Sequence, residues 1–104
     1  MPSRVAEHVV RGRLFRRPLR LRVDLHGVSV FGPARQHRVM RWEWIEQIDA
    51  ADEVVVAGAG AEVRLPAGAF GLSPGDLADR LRSACDPGQR PDVIAGLRGD
   101  ADDG

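Results

Sequence analysis

Apolar and charged residues alternate strictly in LRLRVDL, residues 19–25. In an extended chain, Leu19, Leu21 and Val23 share one face, while Arg20 and Arg22 lie on the other. A period of two is typical of a half-buried strand in an antiparallel sheet. The stretch therefore predicts a strand with one face toward a core and the other toward solvent.

Further short extended stretches surround this strand, and turn residues separate them. They lie at 5–15, 28–32, 36–42, 53–58 and 61–66. Turns are predicted at 16–18, at the His26-Gly27 pair, at 33–35 and across 58–60. Six or seven short strands at intervals of about 8–12 residues indicate a small sandwich or barrel.

The pattern changes to a helical period in LSPGDLADRLRSACDPG, residues 72–88. Ser73 suits the N-cap, Pro74 the first helical position and Asp76 the third. Apolar residues recur at i, i+4, i+7 and i+8 and form one stripe. These residues are Leu77, Leu81, Ala84 and Cys85. We expect a helix that packs this stripe against the strands.

The last segment has a weaker pattern. RPDVIAGLRG, residues 90–99, would add one or two helical turns, which are marginal in isolation at this length. DADDG at the C-terminus would be solvated. The predicted organisation is a domain over 1–88, followed by a short helical turn and a flexible acidic tail over 89–104.

Three stretches resemble the PH-domain-like proteins of actinobacteria. They are GVSV at 27–30, WEWIEQI at 42–48 and EVVV through VRLPAGAFGLSPGDLADRLRSAC at 53–85. Proteins of that family have a similar Trp-x-x-Ile-x-x-Ile stretch after the fourth strand and a similar Leu-Pro-x-x-x-Phe run before the terminal helix. The resemblance covers roughly residues 19–85. It implies a mainly β, PH-like small barrel or sandwich of six or seven antiparallel strands, with strands 1–4 and 5–7 in two nearly orthogonal sheets and a C-terminal α-helix capping one open end.

The two tryptophans receive different interpretations. Trp42, Ile45 and Ile48 match the family pattern and are expected to point inward. Trp44 would share the face of Trp42 in a strand, but would face away from it in a turn-like segment. Both alternatives stay open. An exposed Trp44 would be a candidate anchor for a protein partner, because tryptophan is enriched at binding hot spots.

Charge is divided unevenly along a chain whose net charge is zero. Residues 1–41 hold ten arginines against two acids, which gives +8, and residues 42–104 hold five against thirteen, which gives −8. A basic group straddles the predicted first turn. Its members are Arg11, Arg13, Arg16, Arg17, Arg20 and Arg22. Because strands 1 and 2 would be neighbours, these side chains should cluster at one corner.

Three interpretations of this basic corner remain. The arginines could be solvated or paired within the chain, could bind an acidic protein, or could bind lipid head groups or nucleic acid. The resemblance implies an analogy with eukaryotic PH domains, in which this corner recognises phosphoinositide head groups, and Arg20-x-Arg22 is similar to the basic spacing there. Against nucleic acid, only 5% of the residues are aromatic, so stacking surfaces are few.

Catalytic chemistry is not indicated. His8, His26 and His37 have no metal-ligand spacing, and GAGAEV at 58–63 lacks the third glycine and the following helix of a dinucleotide-binding fingerprint. We therefore predict no enzyme, no cofactor and no metal. The single cysteine, Cys85, rules out an internal disulfide. The N-terminal stretch is charged, and no apolar run approaches the ~20 residues of a membrane span. Together with the single cysteine, these features predict a cytoplasmic protein.

The leading functional hypothesis is a non-catalytic, PH-like binding or adaptor module that acts through protein–protein contacts. The alternative is a binder of anionic surfaces, lipid head groups or nucleic acid, through the basic corner. An open edge strand could also pair two copies into a homodimer.

Overall fold

The computed structural model describes residues 5–11, 18–32 and 37–102. Within these ranges the chain forms seven strands and two α-helices. The strands are β1 (Val5–Arg11), β2 (Pro18–Asp24), β3 (Gly27–Phe31), β4 (His37–Arg41), β5 (Gln47–Ala50), β6 (Val54–Gly58) and β7 (Ala61–Leu65). The helices are α1 (Pro74–Ala84) and α2 (Arg90–Asp102).

The strands form two antiparallel sheets. The first sheet has the order β1-β2-β3-β4 and the second has the order β5-β6-β7. The mainly β class and the division into strands 1–4 and 5–7 are therefore confirmed. The two sheets are not closed into a barrel, so the barrel alternative is wrong. A short 3₁₀ turn, Trp42–Trp44, lies in the chain between β4 and β5.

The core lies between the inner faces of the two sheets. Alternation in β2 places Leu21 and Val23 inward, each with no exposed surface, as the period of two predicted. Val54 and Val56 of β6 are buried in the same way from the second sheet. This burial removes apolar surface from water and fixes which side of each sheet is left for solvent.

Helix α1 confirms the capping and periodicity read from the sequence. The Asp76 backbone N–H donates to Ser73 Oγ at 3.2 Å, which satisfies one of the free donors at the helix start. Leu77 and Leu81 are buried. The helix contacts β5 and β6 and so covers part of the second sheet.

Helix α2 is longer than the sequence predicted. Instead of one or two turns before a solvated tail, it runs for 13 residues, Arg90–Asp102. Val93, Ile94 and Leu97 are buried, and α2 contacts β1 and α1. A helix that is marginal alone is stabilised when its apolar residues join a core. Both helices therefore complete the core, whereas the sequence predicted this role for α1 alone.

The turn between β6 and β7 is a tight hairpin. Ala59 and Gly60 have positive φ angles of 51° and 74°, as the two central residues of a type I′ turn do. Gly58 and Ala61 pair across this turn. This fixes the hydrogen-bonding register of β7.

Candidate interaction surface

The side of the first sheet that faces away from the core is the candidate site, and we call it the outer face. Paired residues in an antiparallel sheet share a face, and the inner face holds Ala6, Leu21, Val28 and Met40. The alternate positions therefore make up the outer face. Its members are Val5, Glu7, Val9, Arg20, Arg22, Asp24, Gly27, Ser29, Phe31, His37, Val39 and Arg41.

The outer face carries exposed valines as well as charged residues. The large exposed apolar residues of the described chain are Val9 at 56%, Trp44 at 44%, Val39 at 41% and Val5 at 40% exposure. The three valines belong to the outer face. Trp44 lies beside it, because the Arg41 Cζ is 5.6 Å from the centroid of the Trp44 ring. Because β1 and β4 are the two edge strands of this sheet, Val5 and Val9 lie at one edge of the outer face and Val39 at the other.

The 3₁₀ turn answers the question of the two tryptophans. Trp42 is only 3% exposed, and its Nε1–H donates to the Asp24 carbonyl at 2.7 Å. The Arg90 Cζ lies 5.0 Å from the centroid of its ring. Trp44 follows two residues later in the 3₁₀ turn. In a strand it would share the face of Trp42, but in this turn its side chain faces outward. Trp42 and Ile48 are buried as expected, and Ile45 is half-buried against the core.

This difference should be visible in fluorescence. We expect a Trp44→Phe variant, which keeps only the buried Trp42, to emit at shorter wavelength and to resist acrylamide quenching. A Trp42→Phe variant, which keeps only Trp44, should emit at longer wavelength and be quenched several-fold more efficiently, because water and quencher reach an exposed indole. Equal emission and quenching in the two variants would contradict the assignment.

Two arginines of the predicted basic corner lie on the outer face. Arg22 Nε is 2.8 Å from Glu7 Oε1, and its Cζ is 5.2 Å from the centroid of the Phe31 ring. Arg22 is thus paired within the chain, as one of the three interpretations held. Arg20 is exposed, and no ion pair to Arg20 is found among the described residues.

Of the other arginines of the basic corner, Arg11 is placed by its backbone pairing. Arg11 ends β1 opposite Pro18 of β2, so its backbone lies at the same end of the sheet as Arg20. Arg13, Arg16 and Arg17 lie outside the described residues. The pairing of β1 with β2 confirms that the two strands are neighbours.

The histidines do not come together. His8 lies on the inner side, where its Nδ1 accepts from the Phe70 backbone N–H at 2.8 Å. His37 stacks on Phe31 of the outer face with ring centroids 4.1 Å apart. Across 5–11, 18–32 and 37–102, no group of three or more His, Cys, Asp or Glu residues is arranged to hold a metal ion.

Cys85 lies at the end of α1, half-buried against the core. Burial raises the pKa of its thiol above the ordinary value, while the nearby Arg90 guanidinium acts in the opposite direction. A raised pKa keeps the thiol protonated at neutral pH, and the protonated form is a poor nucleophile. This thiol has the environment of a small apolar residue.

One charged cluster was not found from the sequence. Arg64 of β7 is 2.9 Å from Glu53 Oε1 and 3.0 Å from Glu62 Oε1. Hydrogen bonds to Glu53 and Glu62 raise the pKa of Arg64. A cleft of about 290 Å³ separates this edge from Val30, Gly32 and Arg38 of the first sheet. Glu62 and Arg64 share one face of β7 because side chains alternate along a strand, but the approach of Glu53 depends on the fold.

Comparisons with known proteins give no relative for this arrangement. No protein-family model matches the chain, and no curated protein or solved structure matches it at a significant level. Among the described residues, neither α-helix has the length and apolar character needed to cross a bilayer.

Proposed function

We propose that the chain is a non-catalytic binding or adaptor module that acts through protein–protein contacts, with the outer face and Trp44 as its docking surface. The observation that carries the proposal is Trp44, 44% exposed beside Arg41 and next to a sheet face with three exposed valines. Tryptophan and arginine are the residues most enriched at binding hot spots, and apolar neighbours exclude water around them.

The preferred partner surface is acidic with apolar residues. Arg20, Arg22 and Arg41 lie on the outer face, where Glu7 and Asp24 are the acidic residues. The Asp24 carboxylate already accepts from the His26 and Gly27 backbone N–H groups at 2.8 and 3.0 Å. Arg41 is paired with Glu43, whose Oε1 is 2.9 Å from Arg41 Nε. Arg20 therefore remains to steer a negatively charged partner toward the outer face.

The fold supports a PH-like module. Seven antiparallel strands divided four and three, with α1 after the last strand, agree with what the resemblance implies, and α2 is a second helix that it does not imply. Trp42 and Ile48, which match the family pattern, are buried in the core. The single cysteine is the reason to place the module in the reducing cytoplasm.

The test is a capture experiment with matched variants. Purified wild type, Trp44→Ala and Arg20→Glu would be immobilised, and partners would be captured from native lysate and compared. We expect a shared set of captured proteins to be lost with both variants. Arg98→Glu is the control, because it makes the same charge change at an exposed position of α2, which contributes no residue to the outer face. Partners retained by Trp44→Ala and by Arg20→Glu would show that the outer face is not the docking surface.

A second candidate function is binding to anionic surfaces through the basic corner. It is favoured by exposed Arg20, which has no ion pair among the described residues, and by the strand end at which Arg11 and Pro18 meet. Binding to phosphatidylserine vesicles or RNA should then weaken steeply between about 50 and 200 mM salt. Arg13→Glu/Arg16→Glu/Arg17→Glu should abolish this binding, and Trp44→Ala should not. Salt-insensitive binding, or no binding to either probe, would exclude this candidate.

A further inference from the structure

Three side chains form a continuous row across β2, β3 and β4 on the outer face. His37 stacks on Phe31 with ring centroids 4.1 Å apart and an angle of 14° between the ring planes. From the neighbouring strand, the Cζ of Arg22 lies 5.2 Å from the centroid of the Phe31 ring. His37 is exposed and Phe31 is half-buried. Solvent therefore reaches the outermost ring of this row.

The two rings lie at the end of the first sheet that carries the basic corner, and we call it the basic end. Phe31 is directly opposite Arg20 on β2 and directly opposite His37 on β4. Arg11 and Pro18 pair at the same end, where β1 leaves the sheet and β2 enters it. The strand register therefore places stacked rings beside exposed arginine.

The charge at the basic end is positive. Residues 1–41 contain only two acids, Glu7 and Asp24. Glu7 Oε1 is held by Arg22 Nε at 2.8 Å, and the Asp24 carboxylate accepts from two backbone N–H groups of the turn at the opposite end of the sheet. Arg20 is exposed and has no ion pair within the described chain. An anionic ligand at the basic end would therefore meet an arginine whose charge is not balanced there.

Rings beside arginine favour one class of anionic ligand. Single-stranded nucleic acid is bound through basic groups that contact phosphates and through aromatic side chains on which bases stack. A phospholipid head group or an acidic side chain has no aromatic ring to stack, and in a duplex the bases already stack on one another. The low aromatic content of the chain counted against nucleic acid, but one stacking surface needs only the two rings that the β3–β4 register brings together.

We propose that the basic end of the outer face binds single-stranded nucleic acid, with one base stacked on His37 and phosphates held by Arg20 and the basic corner. Phe31 packs against the His37 ring and fixes its plane. This inference rests on the second candidate function, the binding of anionic surfaces, and names its ligand. Every base has a face that can stack, so the site should tolerate different base sequences.

Fluorescence anisotropy with a labelled single-stranded oligonucleotide of about 12 nucleotides tests the stacking ring. His37→Ala should weaken binding about fivefold or more, because one base loses its stacking partner. His37→Phe keeps a ring, carries no charge and should bind as wild type does. The matched control is His26→Ala, which removes the same side chain at an exposed position between β2 and β3, at the opposite end of the sheet. It should leave binding unchanged.

Salt dependence separates stacking from phosphate contacts. The logarithm of the affinity falls linearly with the logarithm of the salt concentration, and the slope counts the phosphates contacted. Arg20→Ala should reduce this slope by about 0.7, the value for one phosphate of a single strand. His37→Ala should weaken binding without changing the slope. Circular dichroism would establish that each variant keeps the wild-type fold.

Three results would overturn the proposal. They are equal affinity of His37→Ala and wild type, equal affinity for the single strand and a blunt duplex of the same length, and binding to phosphatidylserine vesicles without binding to the oligonucleotide. Each of these leaves the second candidate function standing, whereas no binding to vesicles or oligonucleotide excludes both. Protein docking through Trp44 is tested separately by the capture experiment, so its failure is distinguishable from these outcomes.

Discussion

Replacing Gly58 with alanine should lower the free energy of unfolding by about 3 kcal/mol or more, among the larger effects of a single substitution. A Cβ at Gly58 would lie 1.7 Å from the Trp44 carbonyl oxygen and 2.7 Å from the Trp44 carbonyl carbon. Both are backbone atoms and cannot rotate away. The turn that carries Trp44 would have to move off the second sheet, so the substitution should also alter the exposed indole.

Urea denaturation followed by circular dichroism measures this effect, and Gly75→Ala is the matched control. Gly75 lies in the first turn of α1, where an added Cβ meets nothing within 4 Å. Alanine is favoured over glycine in a helix by about 0.5–1 kcal/mol, so the control should be neutral or stabilised. If Gly58→Ala denatures at the same urea concentration as wild type, the close approach of Trp44 to β6 is wrong.

Truncating the buried residues of α2 should have an effect of similar size. Ile94→Ala and Leu97→Ala should each cost about 2–5 kcal/mol, because both side chains are fully buried and their removal leaves a cavity. A chain of 104 residues has a stability of only about 5–15 kcal/mol. The double variant is therefore expected to be largely unfolded at room temperature.

The control for this prediction is Val9→Ala, an apolar truncation at a position that is 56% exposed. It should change stability by no more than about 0.5 kcal/mol. If Ile94→Ala and Leu97→Ala are as mild as Val9→Ala, α2 does not belong to the core, and residues 90–99 form only the short helical turns that the sequence alone suggested.

The elements predicted well are those whose local pattern already decides burial. The alternation in LRLRVDL gave β2 and its two faces, and Ser73 with the stripe from Leu77 gave α1. Strand β5 was not recognised, because QIDA is four residues long and buries only Ile48. The length of α2 was missed for a related reason. Its apolar residues are too few to hold a helix alone, and its stability comes from the core they join.

The candidate site shows the same limit. The sequence placed Arg20 and Arg22 on a solvent-facing side, since that follows from the period of two. The sequence did not decide whether the Trp44 side chain is exposed, because its direction depends on whether the chain turns at Trp42. The exposed valines of β1 and β4 come onto one face with the arginines of β2 only through sheet order. Such contacts connect residues distant in sequence, and no local pattern contains them.

The central claim is that two antiparallel sheets, of four and three strands, enclose one core that both C-terminal helices complete. Nuclear Overhauser effects in isotope-labelled protein test it most directly. We expect Hα–Hα contacts between Ser29 and Val39 and between Val55 and Arg64, together with contacts from Ile94 methyl groups to β1. Absence of either cross-strand contact, or Ile94 methyl groups that contact no strand, would contradict the account.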